Sequence, residues 1–343
     1  MCSDIYFLSF YSVSQTDLTN FLKKYRPDAA SYQIPIKNAG GGTNDPSMPG
    51  IEAMLDVETV ISQNYPLKTE FLYYGGQTGD IFQQGLAYYL NNYTNVTRPG
   101  VISVSYGDIE QDFTASQAST FCSTAQKLTA QGTTVVFASG DNGVDSVQAS
   151  SAPSCSNGFV PTYPSGCPYI LSVGGLQNFS PEVAVDTTLA GFWGGSGFST
   201  LFTVPSYQTS AQKAYVSKLG STASGYYNKN GRAFPDVSAQ ASNYIIASGG
   251  SFYTVGGTSA AAPTISAILS LVNDARRKAG KARIGWVQPT IYANGGLTDI
   301  TSGKALGCPS PQQNIGLLVE SGYDAVTGLG SPQFAALRSV FGV

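Results

Sequence analysis

From residue 4 to residue 141 the chain alternates short strand-like runs with helical patterns, and this alternation restricts the fold more than any other feature. "DIYFLSFY" (4–11), "TEFLYYG" (69–75), "GVISVSYG" (100–107) and "TTVVFASGD" (133–141) have strand length and strand residue types. Among them lie four helical segments: "SQTDLTNFLKKYRP" (14–27, closed by Pro27), "GIEAMLDVETVISQ" (50–63), "GDIFQQGLAYYLNNY" (79–93) and "TASQASTFCSTAQKLTAQG" (114–132). Strands joined through helices pair in parallel, and a parallel sheet needs cover on both faces. From 142 to 255 the pattern loosens into Gly/Pro/Ser-rich loops and short strands, and a long apolar helix follows over 259–279. No repeat and no linker divides the 343 residues, so the expectation is one α/β domain. Sites in open parallel sheets form at the carboxyl ends of strands. Gly107, Asp141 and Ser259 all fall in strand-to-helix connections.

Composition narrows the class. Charged residues are 11% of the chain, against about 25% in an average soluble domain. With a net charge of −3 and no basic cluster, the chain is not read as a nucleic-acid binder. The densest basic run, 274–283, reads as a helix end and a turn. No stretch approaches the roughly 18 apolar residues of a membrane span. Few charges, many Gly, Ser, Thr, Tyr and Asn, and sequons at Asn92, Asn95 and Asn178 point to secretion into an acidic setting. The five cysteines (Cys2, Cys122, Cys155, Cys167, Cys308) form no C-x-x-C pair, and without histidine they do not suggest zinc. Two disulfides with Cys2 left over is the expected count. "MCSDIYFLSFYS" is not a signal peptide, because Asp4 interrupts it and no basic start precedes it. The chain therefore reads as a mature portion.

"VGGTSAAAP" (255–263) presents Ser259 after a Gly-Thr turn, at the start of a helix of small residues. A serine hydroxyl needs an adjacent base to act as a nucleophile. This chain contains no histidine, so the base must be another group. Glu52 and Asp56 stand at i and i+4, on one face of the 50–63 helix, with apolar residues between them. Buried together, two such carboxyls share a proton, so Glu52 can accept the serine proton while Asp56 supports it. Asp141 ends a buried strand, and a protonated carboxyl there can donate to a developing oxyanion. Each has a plain alternative: an N-cap serine, a solvated acidic face and a turn aspartate.

Taken in order, Glu-x-x-x-Asp, Ser-Tyr-Gly (105–107), Ser-Gly-Asp-x-Gly (139–143) and Gly-Thr-Ser-Ala-x-x-Pro (257–263) resemble the sedolisins, the serine-carboxyl peptidases. "PTYPSGCPYILSVGG" (161–175), "GGSGFS" (194–199), "RAFPDVSA" (232–239) and "GYDAVTGLGSP" (322–332) support the resemblance from about residue 4 to the C-terminus. Fungal secreted members, many of them tripeptidyl-peptidases, are the most similar. The resemblance implies a subtilisin-like fold with a mostly parallel sheet and helices on both faces. It makes Ser259 the nucleophile, Glu52 the base, Asp56 its partner and Asp141 the oxyanion donor with the Ser259 N–H. A base that must be ionised beside an acid that must not be implies a bell-shaped rate profile around pH 3–5, roughly the carboxyl range.

The resemblance also implies one structural calcium ion within 295–332. Asp299 and Asp324 would bind it through side chains, Ile300, Glu320 and Gly322 through carbonyls, and a water would complete six oxygens. Ser105, Tyr106 and Gly107, with Gly194, Gly195, Ser196 and Gly197, would pair with an extended peptide substrate. Pro235-Asp236 would support the site from behind. Relatives imply a Cys155–Cys308 disulfide, which leaves Cys122 with Cys167. Residues ahead of 4–11, a signal and a prosegment are expected in a longer precursor, and the mature form is expected to be a monomer. Release of tripeptides from free N-termini is favoured over endopeptidase action. A secreted carbohydrate-binding or wall protein explains the composition and sequons but not four motifs in this order. The intact Glu52, Asp56, Asp141 and Ser259 argue against a dead homologue.

Overall fold

The computed structural model describes residues 5–75, 78–94, 97–146 and 155–343. The sequon at Asn95 and the odd cysteine Cys2 lie outside them. Seven parallel strands make the central sheet: β1 (Ile5–Ser9), β2 (Ile36–Ala39), β3 (Thr69–Tyr74), β4 (Val101–Val104), β5 (Thr134–Ala138), β6 (Leu171–Gln177) and β7 (Val237–Gln240). Their spatial order is β7-β6-β5-β4-β1-β3-β2, and a short antiparallel strand, Val183–Ala184, joins β6. Register is continuous across the middle: Ile5 stands between Thr69 and Val101, and Val101 beside Thr134. The strand–helix alternation read from the sequence is therefore borne out, with β4 and β5 shorter at both ends than their apolar runs.

Every residue of β1, β4 and β5 is buried, because helices cover both faces. On one side Ile5, Phe7 and Val136 pack with α1 (Gln15–Tyr25), α2 (Ile51–Asn64) and, through Ile265 and Leu269, the long α6 (Thr258–Lys278). On the other, Tyr6, Leu8 and Phe137 pack with Leu86 of α3 (Ile81–Asn92) and Phe121 of α4 (Ala115–Ala130). Alternate residues of one strand thus serve opposite layers. A third cluster gathers Tyr215 and Leu219 of α5 (Thr209–Leu219) with Ile300, Leu317 and Tyr323 of the C-terminal loops.

β6 and β7 lie within 142–255, which reads in the sequence as loops and short strands; the helix α5 in the same stretch is not expected from it. Cys122–Cys167 and Cys155–Cys308 are both bonded, as expected. The basic run is a helix end, where Arg277 and Lys278 pair with Asp274 at 2.5 and 2.7 Å. Among the described residues no helix is long and apolar enough to cross a membrane.

Asp236, expected behind the site, is wholly buried and joined to Arg232, itself wholly buried, at 2.5 Å. Its Oδ2 also accepts the Ser172 N–H at 2.9 Å, and its Oδ1 the Tyr292 hydroxyl at 3.0 Å. Asp236 therefore ties β6 to the segment before β7. Removing one partner strands a buried charge. We expect Arg232→Met to lower unfolding free energy by about 3–5 kcal/mol in urea titrations. Asp28→Ala, which removes the exposed carboxylate of the Arg26–Asp28 pair, should cost about 1 kcal/mol or less. Equal losses at the two sites would overturn this assignment.

Candidate active site

Three segments converge at the carboxyl ends of β4 and β5. Ser105–Gly107 follow β4, and Gly140–Asp141 follow β5. Thr258-Ser259 open α6, which is fed by a hairpin of Tyr244–Ser248 and Ser251–Val255. Ser259 therefore follows this hairpin and not a strand of the central sheet, a departure from the sequence reading. A cavity of about 550 Å³ lies between the segments, lined by Ser105, Tyr106, Asp141, Ser146, Thr162 and Ser259 among others.

Ser259 is not a cap. The residue before the helix is Gly257, with no side-chain capping bond, and Ser259 sits in the first turn. Backbone N–H groups there have no intrahelical partner, so the Ser259 N–H is available to a ligand. Its hydroxyl lies 3.3 Å from the Ser105 carbonyl oxygen and close enough to Glu52 to stabilise that carboxylate. Gly257 has φ +148°, and a Cβ there would stand 2.8 Å from Asp141 Oδ2. Glycine is thus required both by the backbone and by the approach of Asp141.

Asp141 Oδ1 accepts the Thr258 N–H at 2.7 Å and the Thr258 hydroxyl at 2.9 Å. Both bonds fall on one oxygen, which leaves Oδ2 to carry a proton. Burial raises this carboxyl above its usual range, against the opposing effect of the Thr258 bonds. Thr258 was not singled out from the sequence, although it is part of the Gly-Thr-Ser turn.

Glu52 and Asp56 are not on a solvated face. Asp56 is wholly buried and Glu52 half-buried, on the side of α2 that packs against α6. Burial pushes Glu52 up to about 8; the Asp141 charge adds to the rise and the Ser259 hydroxyl opposes it. Burial raises Asp56 further, then the Glu52 charge, while the Ser105 hydroxyl opposes. Glu52 Oε1 and Asp56 Oδ2 are both buried without a hydrogen-bond partner, and one shared proton would serve both. Glu52 lies in the first turn of α2, where the helix dipole favours an anion. Asp56 is a turn deeper, so the proton belongs on Asp56 and the charge on Glu52.

Ser105, Tyr106 and Gly107 line the cavity as expected. The Gly194–Gly197 segment does not. Gly195 and Ser196 donate their N–H groups to the Gly140 and Gly143 carbonyls at 2.6 and 2.9 Å. A Cβ on Gly195 would lie 1.9 Å from the Ser139 oxygen. This segment backs the Asp141 wall, and its donors at 195 and 196 are already used.

Far from the cleft, Asp299 and Asp324 meet at one loop. Asp299 Oδ2 accepts the Gly322 N–H at 2.8 Å, and Asp324 Oδ2 the Glu320 N–H at 3.2 Å. Asp299 is exposed and Asp324 and Ile300 are buried. No group of three or more Asp, Glu, Cys or His that could hold a metal exists among the described residues. A set of two carboxylates and backbone carbonyls needs no such group, and its all-oxygen chemistry fits calcium.

A sequence model of the subtilase family matches residues 74–300. The chain belongs to the subtilase family. This subtilase is 35% identical to a protein named tripeptidyl-peptidase SED2 from Arthroderma otae, over 94% of this chain and 58% of the relative. It is 33% identical to tripeptidyl-peptidase sed4 from Aspergillus fumigatus, over 96% of this chain and 61% of that one. The subtilase thus spans about three-fifths of the length of these relatives. Its fold is similar to that of Pseudomonas sedolisin, solved with two molecules of pseudo-iodotyrostatin, with TM-score 0.76 and 20% identity. The match covers 98% of this chain and 91% of that structure. The sedolisin resemblance read from the motifs is thereby borne out.

The buried acids also set how stability varies with pH. Glu58 on α2 is wholly buried; its Oε2 accepts the Ala247 N–H at 2.8 Å, and burial pushes it up to about 9. A carboxyl raised in the folded state stabilises the fold fully below its unfolded pKa. That contribution is lost as pH rises through the folded value. Melting temperature should therefore be highest in acid and fall between about pH 4.5 and 9, at about 1.4 kcal/mol per pH unit for each retained proton. Glu58→Gln should flatten the decline by one proton's slope in melts across pH. A decline as steep in Glu58→Gln as in the parent protein would contradict this account.

Proposed function

We propose that this subtilase is a serine-carboxyl peptidase that releases tripeptides from free N-termini of peptides in acid. The observation that carries the reading is the meeting of three separate segments: Ser259 and Asp141 line one cleft, and the Glu52–Asp56 pair stands against Ser259 and Ser105. The relatives' name, tripeptidyl-peptidase, supports the exopeptidase form.

In this mechanism the Ser259 hydroxyl oxygen attacks the substrate carbonyl carbon, and its proton passes to Glu52. The carbonyl oxygen becomes an oxyanion that accepts hydrogen bonds from protonated Asp141 and the Ser259 N–H. Glu52 then returns the proton to the departing amine, and the C–N bond breaks. Water, deprotonated by Glu52, cleaves the resulting ester and restores Ser259. The productive site holds two protons on three carboxyls: one on Asp56 and one on Asp141. Gaining a third or losing the second stops the reaction. Burial raises all three groups, so the window opens above the ordinary carboxyl range and closes as the site loses its second proton.

Secretion fits the same reading. Two disulfides suit an oxidising compartment, and Asn92 and Asn178 are exposed at their sequons. A structural calcium ion held by Asp299, Asp324 and the carbonyls of Ile300, Glu320 and Gly322 belongs to it as well. The ion would lock the C-terminal loops and takes no part in the chemistry.

Peptides with free or blocked N-termini, incubated across pH 3–8, test the proposal. Cleavage in steps of three residues from free ends, in a bell-shaped acid profile, is expected. Ser259→Ala should abolish it, and Asp141→Asn should lower kcat by about 10²–10³-fold. A peak at pH 8, or binding to carbohydrate without cleavage, would refute it. For the metal, chelation should lower the melting temperature and added Ca²⁺ restore it, with no such response in Asp324→Asn. A melting temperature indifferent to chelator in the metal-loaded protein would remove calcium from the account.

A further inference from the structure

Ser105 stands one residue beyond β4, and its contacts converge on the reacting groups. Its hydroxyl donates to Asp56 Oδ1 at 2.5 Å and lies 3.2 Å from the Ser259 carbonyl oxygen. Its own carbonyl oxygen accepts the Ser259 hydroxyl at 3.3 Å. The Ser259 carbonyl is open to this approach for a covalent reason. In an α-helix it would accept the N–H four residues on, but that residue is Pro263, which has none. The side chain of Ser105 is almost wholly enclosed, so this geometry is held by packing.

The consequence concerns where one proton sits. Asp56 is wholly buried and has two inequivalent oxygens: Oδ1 takes the short Ser105 bond, and Oδ2 has no partner. An oxygen that accepts a strong hydrogen bond is a poor place for the proton of the same carboxyl. The proton therefore goes to Oδ2. Glu52 Oε1, the pair's other oxygen that is buried without a partner, comes from the preceding helical turn. We propose that Ser105 is a positioning residue whose hydroxyl fixes the Asp56 proton on Oδ2, so that Glu52 accepts it as a hydrogen bond and keeps the negative charge of the base. This rests on the peptidase reading above. Ser105 loses no proton at any step; it decides which oxygen of Asp56 is the donor.

Without the hydroxyl, either Asp56 oxygen can hold the proton, and half of the arrangements leave Glu52 unsupported. The negative charge on the pair also loses a donor, so the pair protonates at higher pH. Ser105→Ala and the nearly isosteric, weakly donating Ser105→Cys should each lower kcat by about 10–100-fold, as loss of an orienting partner does. KM should stay within about twofold, and the acid limb of the kcat profile should move up in pH. In an Asp56→Asn background neither substitution should move the limb. Loss in KM alone, an unmoved acid limb, or a further limb shift on top of Asp56→Asn would overturn the assignment.

Infrared titration of the buried carboxyl C=O stretch gives a readout independent of turnover. Its apparent pKa should rise in Ser105→Ala and Ser105→Cys, and an unchanged value would overturn the role of Ser105. If the parent protein cleaves no peptide, the peptidase reading fails, and the infrared result still decides whether Ser105 directs the Asp56 proton.

Discussion

Two acidic side chains one helical turn apart, buried between α2 and the start of α6, are the constraint on which the rest of the site depends. In water such a pair repels weakly. Enclosed, it cannot hold two charges, and it becomes a unit with one proton. The small residues Ala260, Ala261 and Ala262 at the head of α6 let the two helices pack there, and all three are buried. The dipole of α2 favours charge on Glu52, and the depth of Asp56 favours the proton there. In the proposed mechanism, a base without an imidazole results from where two carboxyls sit along one helix.

Much of this was legible in the sequence. The i,i+4 spacing puts Glu52 and Asp56 on one helix face among apolar residues, but a solvated acidic face fits that spacing too, and the packing of α2 decides for burial. Asp141 follows a strand buried at every residue, which gives the site its wall. The disulfides, by contrast, were placed only through the family likeness. Other features could not be read because they depend on distant residues. β6 and β7 extend the sheet beyond β5, β7 as its edge, yet Gly174 and Gly175 in one and Ser238 in the other make their runs look like loop. β2 has exposed or half-buried residues throughout, so it carries no apolar signal. α5 buries Gln212 against the Lys229 and Gly231 carbonyls, which weakens its amphipathic pattern. The Gly194–Gly197 run looked like a free edge because sequence cannot show which carbonyls its N–H groups already face.

The hairpin before Ser259 is anchored in a way that no motif reports. Asp17 of α1 accepts the Gly249 and Gly250 N–H groups, both at 2.9 Å, and Glu58 of α2 accepts that of Ala247. Acidic side chains from two helices thus hold the strand pair that leads to Ser259. The carboxyls of this protein serve as scaffold as well as reagents, which suits a chain with few basic residues.

The Cys155–Cys308 bond closes a ring of chain with a sequence separation of 153. The ring includes β6, β7, the hairpin and all of α6, and the Leu306 carbonyl near its second cysteine accepts the Val144 N–H at 2.8 Å. A single cut in any loop between the two cysteines would leave both fragments tethered. A nicked molecule would therefore stay one covalent unit, a two-chain form held by one sulfur bridge that separates only on reduction.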